Sequence, residues 1–330
     1  MTARANIACL GAGRMGRGIA VAFAYAGHAV TMIDVKTRTP EGFAKLEADA
    51  MGEVRKTLAS LTRLGLLAEP DTETVVGRIS VVPTAQSDAV LAETGMVFEG
   101  VPEVVDLKRE VLASASRQVK RDTVIASTTS TILVDDLSGA IEHPDRFLNV
   151  HWLNPAYLIP LVEVSPGAAT DPAIVGQVKT LLEGIGKVPV VCAATPGFIV
   201  PRIQALAMNE AARMVEEGVA SAEDIDKAIR FGFGFRYAVL GLLEFIDWGG
   251  GDIHYYASRY LEGALGSDRY RAPEVISRNM HEGRIGMRTG AGFLDYSALD
   301  IDAYREARLK AMVDLLRHFG LARPPVLDKS

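Results

Sequence analysis

Residues 6–10, Asn-Ile-Ala-Cys-Leu, form a short and largely apolar run that leads straight into Gly11-Ala12-Gly13-Arg14-Met15-Gly16. A small-residue helical stretch follows over 17–26, and the next apolar run, 29–33, closes on Asp34. A strand, a G-x-G-x-x-G turn, a helix, a second strand and a terminal acid in that order describe the opening unit of a dinucleotide-binding sheet. Gly11 permits the tight turn, Gly13 lets the backbone approach a pyrophosphate, and Gly16 lets helix and strand pack closely. Arg14 and Met15, within the turn, are candidate cofactor contacts, and the N-terminus of the following helix offers free N–H groups to the anion. Asp34 stands 18 positions after Gly16, where a carboxylate accepts hydrogen bonds from the adenosine ribose. That favours NAD over NADP, whose 2′-phosphate the carboxylate would repel. Lys36 and Arg38 pull the other way, since either could meet a phosphate.

At 330 residues, 48% hydrophobic and 23% charged, the chain can bury a large core and is expected to divide into two domains. The net charge of -6, with no dense basic run, argues against a nucleic-acid partner. Cys9 and Cys192 are the two cysteines, so there is no disulfide framework and no cysteine-based zinc site. This usage fits a reducing compartment, and no metal is expected. The first strand begins close to Met1, which predicts no signal peptide, and no apolar stretch has the length of a membrane span. The expectation is a soluble, cytoplasmic protein acting on a small molecule, with no membrane partner.

Strand-like runs at 79–82, 96–99, 123–127, 147–151, 161–164 and 188–192 alternate with helical stretches. This is the pattern of an α/β fold, a Rossmann-type doubly wound parallel sheet. Thr39-Pro40 supplies a cap and first-turn proline for a charged amphipathic helix over 41–64, which Gly65 stops. Asp171-Pro172 opens another helix, closed near Gly184 and Gly186. From Thr195-Pro196-Gly197 onward the strand pattern ceases. Helices are predicted over 202–217, 221–231 with Ser221 as cap, 242–246, 253–261 and 301–319. The domain boundary is therefore set near residue 196: 1–196 the nucleotide-binding domain, 197–330 an all-helical second domain.

A second constellation is Ser127-Thr128-Thr129-Ser130, then His151-Trp152-Leu153-Asn154-Pro155, then Leu161-Val162-Glu163-Val164. His151 ends a predicted strand, and ligands of open α/β sheets bind outside the carboxyl ends of the strands. Histidine suits the removal of a hydroxyl proton near neutral pH. A carboxylate such as Glu163 could fix its tautomer and stabilise the imidazolium, and Ser130 and Asn154 could hydrogen-bond the substrate oxygen. Taken singly, each has an ordinary structural reading, as a satisfied strand-end histidine or a surface acid.

With these segments together, the chain resembles the 3-hydroxyacyl-CoA dehydrogenase family over roughly residues 6–296. The matching segments are 11–16, Asp34, Glu99-Gly100-Val101-Pro102-Glu103 with Lys108, 127–130, 151–155, Glu163, Pro196-Gly197-Phe198-Ile199-Val200 and 286–293. The resemblance implies NAD as cofactor, a helical C-terminal domain that forms a homodimer, and a role in fatty acid metabolism. It also implies His151 as the base that takes the C3 hydroxyl proton while hydride passes to the nicotinamide. Glu163 would be its partner, Ser130 a substrate-oxygen contact, and Glu103 and Lys108 would lie near the nicotinamide end.

Two departures qualify the substrate. The family usually has asparagine after Gly-Phe-Ile-Val, where this chain has Pro201, which cannot donate a hydrogen bond. Asn154 or Ser130 would then act without that help. The segment Gly234-Phe235-Arg236-Tyr237-Ala238-Val239-Leu240-Gly241 is more similar to the gulonate and carnitine dehydrogenase branch, whose substrates keep a free carboxylate. Arg236 is a candidate carboxylate clamp there, its alternative being an ordinary ion pair. Segment 286–293 resembles the thioester-using branch instead. Helix 41–64 carries Lys45, Arg55, Lys56 and Arg63 but no dense lysine cluster where coenzyme A would dock. A 3-hydroxyacyl-CoA is the expected substrate and a free 3-hydroxy acid the alternative. A non-catalytic, nucleotide-binding structural protein, as among the family's lens crystallins, is a third reading, which Ser130, His151 and Glu163 oppose.

Overall fold

The computed structural model describes residues 5–326, which divide into two compact units between residues 208 and 209. In the first unit the strands are β1 (Ile7–Leu10), β2 (Val30–Asp34), β3 (Ile79–Pro83), β4 (Met96–Glu99), β5 (Val124–Ser127), β6 (Phe147–Trp152), β7 (Leu161–Pro166) and β8 (Val188–Val191). They form one sheet in the order β3-β2-β1-β4-β5-β6-β7-β8. All neighbours are parallel except β6 and β7, which pair antiparallel. The sequence pattern predicts a parallel sheet throughout, and this reversal is the difference that matters for the site.

β1, β4 and β5 are buried at every position, as expected for strands covered on both faces. One face carries α1 (Arg14–Tyr25) and α2 (Pro40–Arg63) over a layer that includes Phe23, Phe98 and Trp152. Phe23 and Phe98 lie 5.4 Å apart, and Phe98 meets Trp152 edge-on at 5.8 Å. The other face carries α3 (Val105–Gln118) over Leu10, Val97, Ile125 and Phe147. Thr39 caps α2 by accepting from the Gly42 N–H, with Pro40 in the first turn. Asp171 does the same for α4 (Pro172–Gly184) through the Ala173 N–H. Both caps relieve N–H groups that have no partner inside the helix.

α5 (Val200–Glu216) runs out of the first unit. The packing division falls inside this helix, at residue 208. Its opening N–H groups are bound within the first unit. The second unit is helical, comprising α6 (Ala222–Ala228), α7 (Leu242–Gly249), α8 (Gly251–Leu265), α9 (Glu274–His281) and α10 (Ile301–His318). Ser221 caps α6, and the chain then forms a π-helical turn over Ile229–Gly234. No described helix is long and apolar enough to cross a membrane.

Candidate active site

Helix α1 begins at Arg14, directly out of the glycine turn, with Gly13 as a cap that supplies no side-chain acceptor. The first N–H groups of the helix are left for a ligand. A Cβ at Gly16 would run into the Gly11 carbonyl oxygen, whereas a Cβ at Gly13 would meet nothing within 4 Å. Gly16 is therefore required by packing, and Gly13 faces open space that protein atoms do not fill. This is the cradle a pyrophosphate needs. Asp34 ends β2, its carboxylate buried and held by the Arg38 Nε at 2.6 Å. Together these features fit an adenine dinucleotide.

At the ends of β4 and β5, Glu99 lies opposite Ser127 in the parallel register. The Ser127 hydroxyl donates to Glu99 Oε2 at 2.6 Å, and the Val101 N–H donates to Oε1 at 2.7 Å. Lys108, 1% exposed, reaches up from α3 to the same carboxylate at 2.8 Å and lies 3.3 Å from Glu103. A lysine is buried this deeply only when paired. Lys108 is thus fully occupied behind the 100–103 turn. Glu103, half-exposed, accepts from the Ser130 N–H at 3.0 Å, from the Thr131 N–H and hydroxyl at 3.1 and 3.0 Å, and from the Thr129 hydroxyl. Burial pushes its pKa up, but those bonds and the Lys108 charge win and hold it below the ordinary carboxylate value. Glu103 therefore shapes the turn that presents Ser130. Glu99 belongs to the segment 99–103 that carries the family resemblance and closes the apolar run Met96-Val97-Phe98, but neither signal gives it a role in holding Lys108.

The antiparallel pairing of β6 and β7 sets His151 directly opposite Glu163. Residues opposed across an antiparallel pair share one face of the sheet. Both are buried, and His151 Nδ1 lies 2.7 Å from Glu163 Oε2. Glu163 Oε1 accepts from the Ile199 and Val200 N–H groups at 2.9 and 2.8 Å. Both carboxylate oxygens are thereby committed. With Nδ1 donating, Nε2 is the bare acceptor nitrogen, and it has no partner among the described residues. Phe198 lies against the imidazole, centroids 5.4 Å apart. Its backbone sits at φ 44, a left-handed conformation that costs a bulky residue energy and is concentrated at functional sites. Pro201, in the first turn of α5, costs no helical bond, because its N–H would have had no partner within the helix.

Ser130 and Asn154 are both exposed. Asn154 lines a cavity of about 490 Å³, shared with Arg14, Arg17, Val54, Thr57 and Tyr157. In the second unit, Arg236 forms no ion pair among the described residues and lies over the Phe245 ring at 4.3 Å. Segment 286–293 is built around buried Asp247, which accepts from the Phe293 and Leu294 N–H groups at 2.9 Å each.

Residues 6–195 match the family described as 3-hydroxyacyl-CoA dehydrogenase, NAD binding domain, and 197–296 match its C-terminal domain. The chain is 32% identical over 313 residues to the 5-formyl-3-hydroxy-2-methylpyridine 4-carboxylate 5-dehydrogenase of Mesorhizobium japonicum, covering 94% of this chain and 97% of that one. It is 31% identical over 292 residues to the 3-hydroxybutyryl-CoA dehydrogenase of Bradyrhizobium diazoefficiens, with 88% and 95% covered. Among solved structures, the 3-hydroxyacyl-CoA dehydrogenase of Archaeoglobus fulgidus superposes with a TM-score of 0.76 at 32% identity, covering 97% and 100%.

Proposed function

The chain belongs to the 3-hydroxyacyl-CoA dehydrogenase family as an NAD-dependent oxidoreductase, and from that premise we propose that it oxidises the 3-hydroxyl of a 3-hydroxyacyl-CoA, with His151 as general base. The His151–Glu163 pair carries this reading: a buried imidazole whose Nδ1 is fixed on a carboxylate at 2.7 Å and whose Nε2 is unengaged. Nε2 takes the hydroxyl proton as the carbonyl forms, and Glu163 stabilises the resulting imidazolium. NAD, when bound, accepts the hydride released from the carbinol carbon. Gly13 and the α1 N–H groups would hold its pyrophosphate, and Asp34 its ribose. Ser130 and Asn154 are the proposed contacts to the substrate oxygen, with Glu103 shaping the turn under Ser130 and Lys108 holding the turn behind it.

The cavity beside Asn154 supports an extended anionic substrate, since Arg14 and Arg17 line it and neither pairs with an acid. A free 3-hydroxy acid is the second reading. It is favoured by the unpaired Arg236 guanidinium and by a pyridine-carboxylate dehydrogenase that matches 94% of the chain. The proposed assembly is a homodimer, supported by the exposed stripe Ile253, Tyr256 and Tyr260 on α8, and the proposed location is the cytoplasm, on cysteine usage. A panel of CoA thioesters and free hydroxy acids, followed by NADH absorbance, tests the substrate. Turnover of thioesters alone supports the first reading, turnover of free acids alone the second, and turnover of neither overturns both.

A further inference from the structure

Asp34 is the residue by which a dinucleotide site of this kind favours NAD, because a bare carboxylate repels a phosphate on the adjoining ribose hydroxyl. In this chain the carboxylate is not bare. Arg38 lies 2.6 Å from Oδ2 through its Nε, and the Lys36 backbone N–H donates to Oδ1 at 3.3 Å. The Asp34 side chain is 6% exposed and that of Arg38 33%. Arg38 is therefore anchored on a buried acid and open on its other side. A guanidinium carries five N–H donors. Only Nε is engaged on Asp34, and the two terminal nitrogens have no partner among the described residues. Those terminal groups form the fork that binds phosphate in a bidentate manner. Lys36, exposed and also without an ion pair among the described residues, adds a second positive charge two positions away. One acid and two bases leave the segment 34–38 with a charge of +1 rather than -1.

We infer that Arg38, held in place by Asp34, is a receptor for the 2′-phosphate of NADP, so that the chain binds NADP as well as NAD. The acid and the cation divide the work. Asp34 accepts from the ribose hydroxyls of NAD. When the ribose is phosphorylated, Arg38 neutralises that acid and presents its free edge to the phosphate.

Titration calorimetry on the full chain with ADP-ribose and 2′-phospho-ADP-ribose tests this without reference to turnover, and so independently of the dyad. Wild-type protein is expected to bind both. Arg38→Met is expected to weaken the phosphorylated ligand about 10- to 100-fold, the usual range for loss of a charge-assisted bond, and to change ADP-ribose by less than about 3-fold. Arg38→Lys, which keeps charge near Asp34 but removes the fork, is expected to fall between them and covers the case in which Arg38→Met does not fold. Failure of the wild type to bind 2′-phospho-ADP-ribose where ADP-ribose saturates would overturn the inference. So would equal losses for both ligands in the Arg38 variants, or no loss for either.

Discussion

The two compact units differ in how much of their own apolar surface they cover. In the first, strands β1, β4, β5 and β6 are buried at every position, and the buried charged or titratable groups Glu99, Lys108, His151 and Glu163 bind one another or the backbone. In the second, the fully buried apolar side chains among the described residues are Ile225, Leu240, Ile276, Met287 and Tyr296, while Leu243, Ile253, Tyr256 and Tyr260 are half-exposed or more. A chain that leaves large apolar groups uncovered on one helix face is shaped for a partner.

Substitutions at four places in the molecule bear on that contrast. The largest effect is expected at the dyad: His151→Ala should lower turnover about 10²–10⁴-fold with NAD affinity nearly unchanged, read by steady-state rates and cofactor titration. Glu163→Gln should also reduce turnover more than binding. Next comes the buried pair beneath the 100–103 turn. Lys108→Met strands the Glu99 charge and should cost about 3–5 kcal/mol in urea unfolding, with Glu99→Gln in the same chain restoring part of it. Wild-type stability of the single variant would mean the pair is not a keystone of the first unit.

In the second unit, Ile253→Glu combined with Tyr260→Glu places charge on the most exposed stripe, Tyr260 being 73% exposed. With the proposed homodimer built on this stripe, sedimentation should shift from dimer to monomer while the melting temperature changes little. An unchanged dimer would move the interface elsewhere. The smallest effect concerns acid. Glu103 titrates below its ordinary value of 4.5 in the folded protein, so its contribution is present above that value and is lost as pH falls through the lower, folded one. The melting-temperature gap between wild type and Glu103→Gln should therefore close as pH is lowered from about 6 to about 3. A gap independent of pH would show that Glu103 acts by packing alone.

Much of the first unit is legible in sequence because its signals are local. Apolar runs, the caps Thr39 and Asp171, and the stop at Gly65 mark element after element to within a residue or two. The reversal between β6 and β7 was missed although its cue was present. The connection 153–160 is too short for the crossover that parallel strands require. That reversal is also what sets His151 against Glu163. Helix α3 begins at Val105, and its cap residue Val104 makes no side-chain capping bond, so no boundary residue announces it. The burial of Lys108 depends on Glu99, nine positions away in sequence and on a different element, and no periodicity encodes it. The left-handed backbone at Phe198, whose ring lies on the imidazole, has no local sequence signal either.

The proposed role of His151 as base requires that its unengaged nitrogen be Nε2. ¹⁵N NMR of histidine-labelled protein measures this directly, the chain having six histidines and His151 being assigned from the resonance lost in His151→Gln. The expected result is a ring protonated on Nδ1, hydrogen-bonded to Glu163, with Nε2 bare. A ring carrying its proton on Nε2, with Nδ1 accepting from a protonated Glu163, would contradict it.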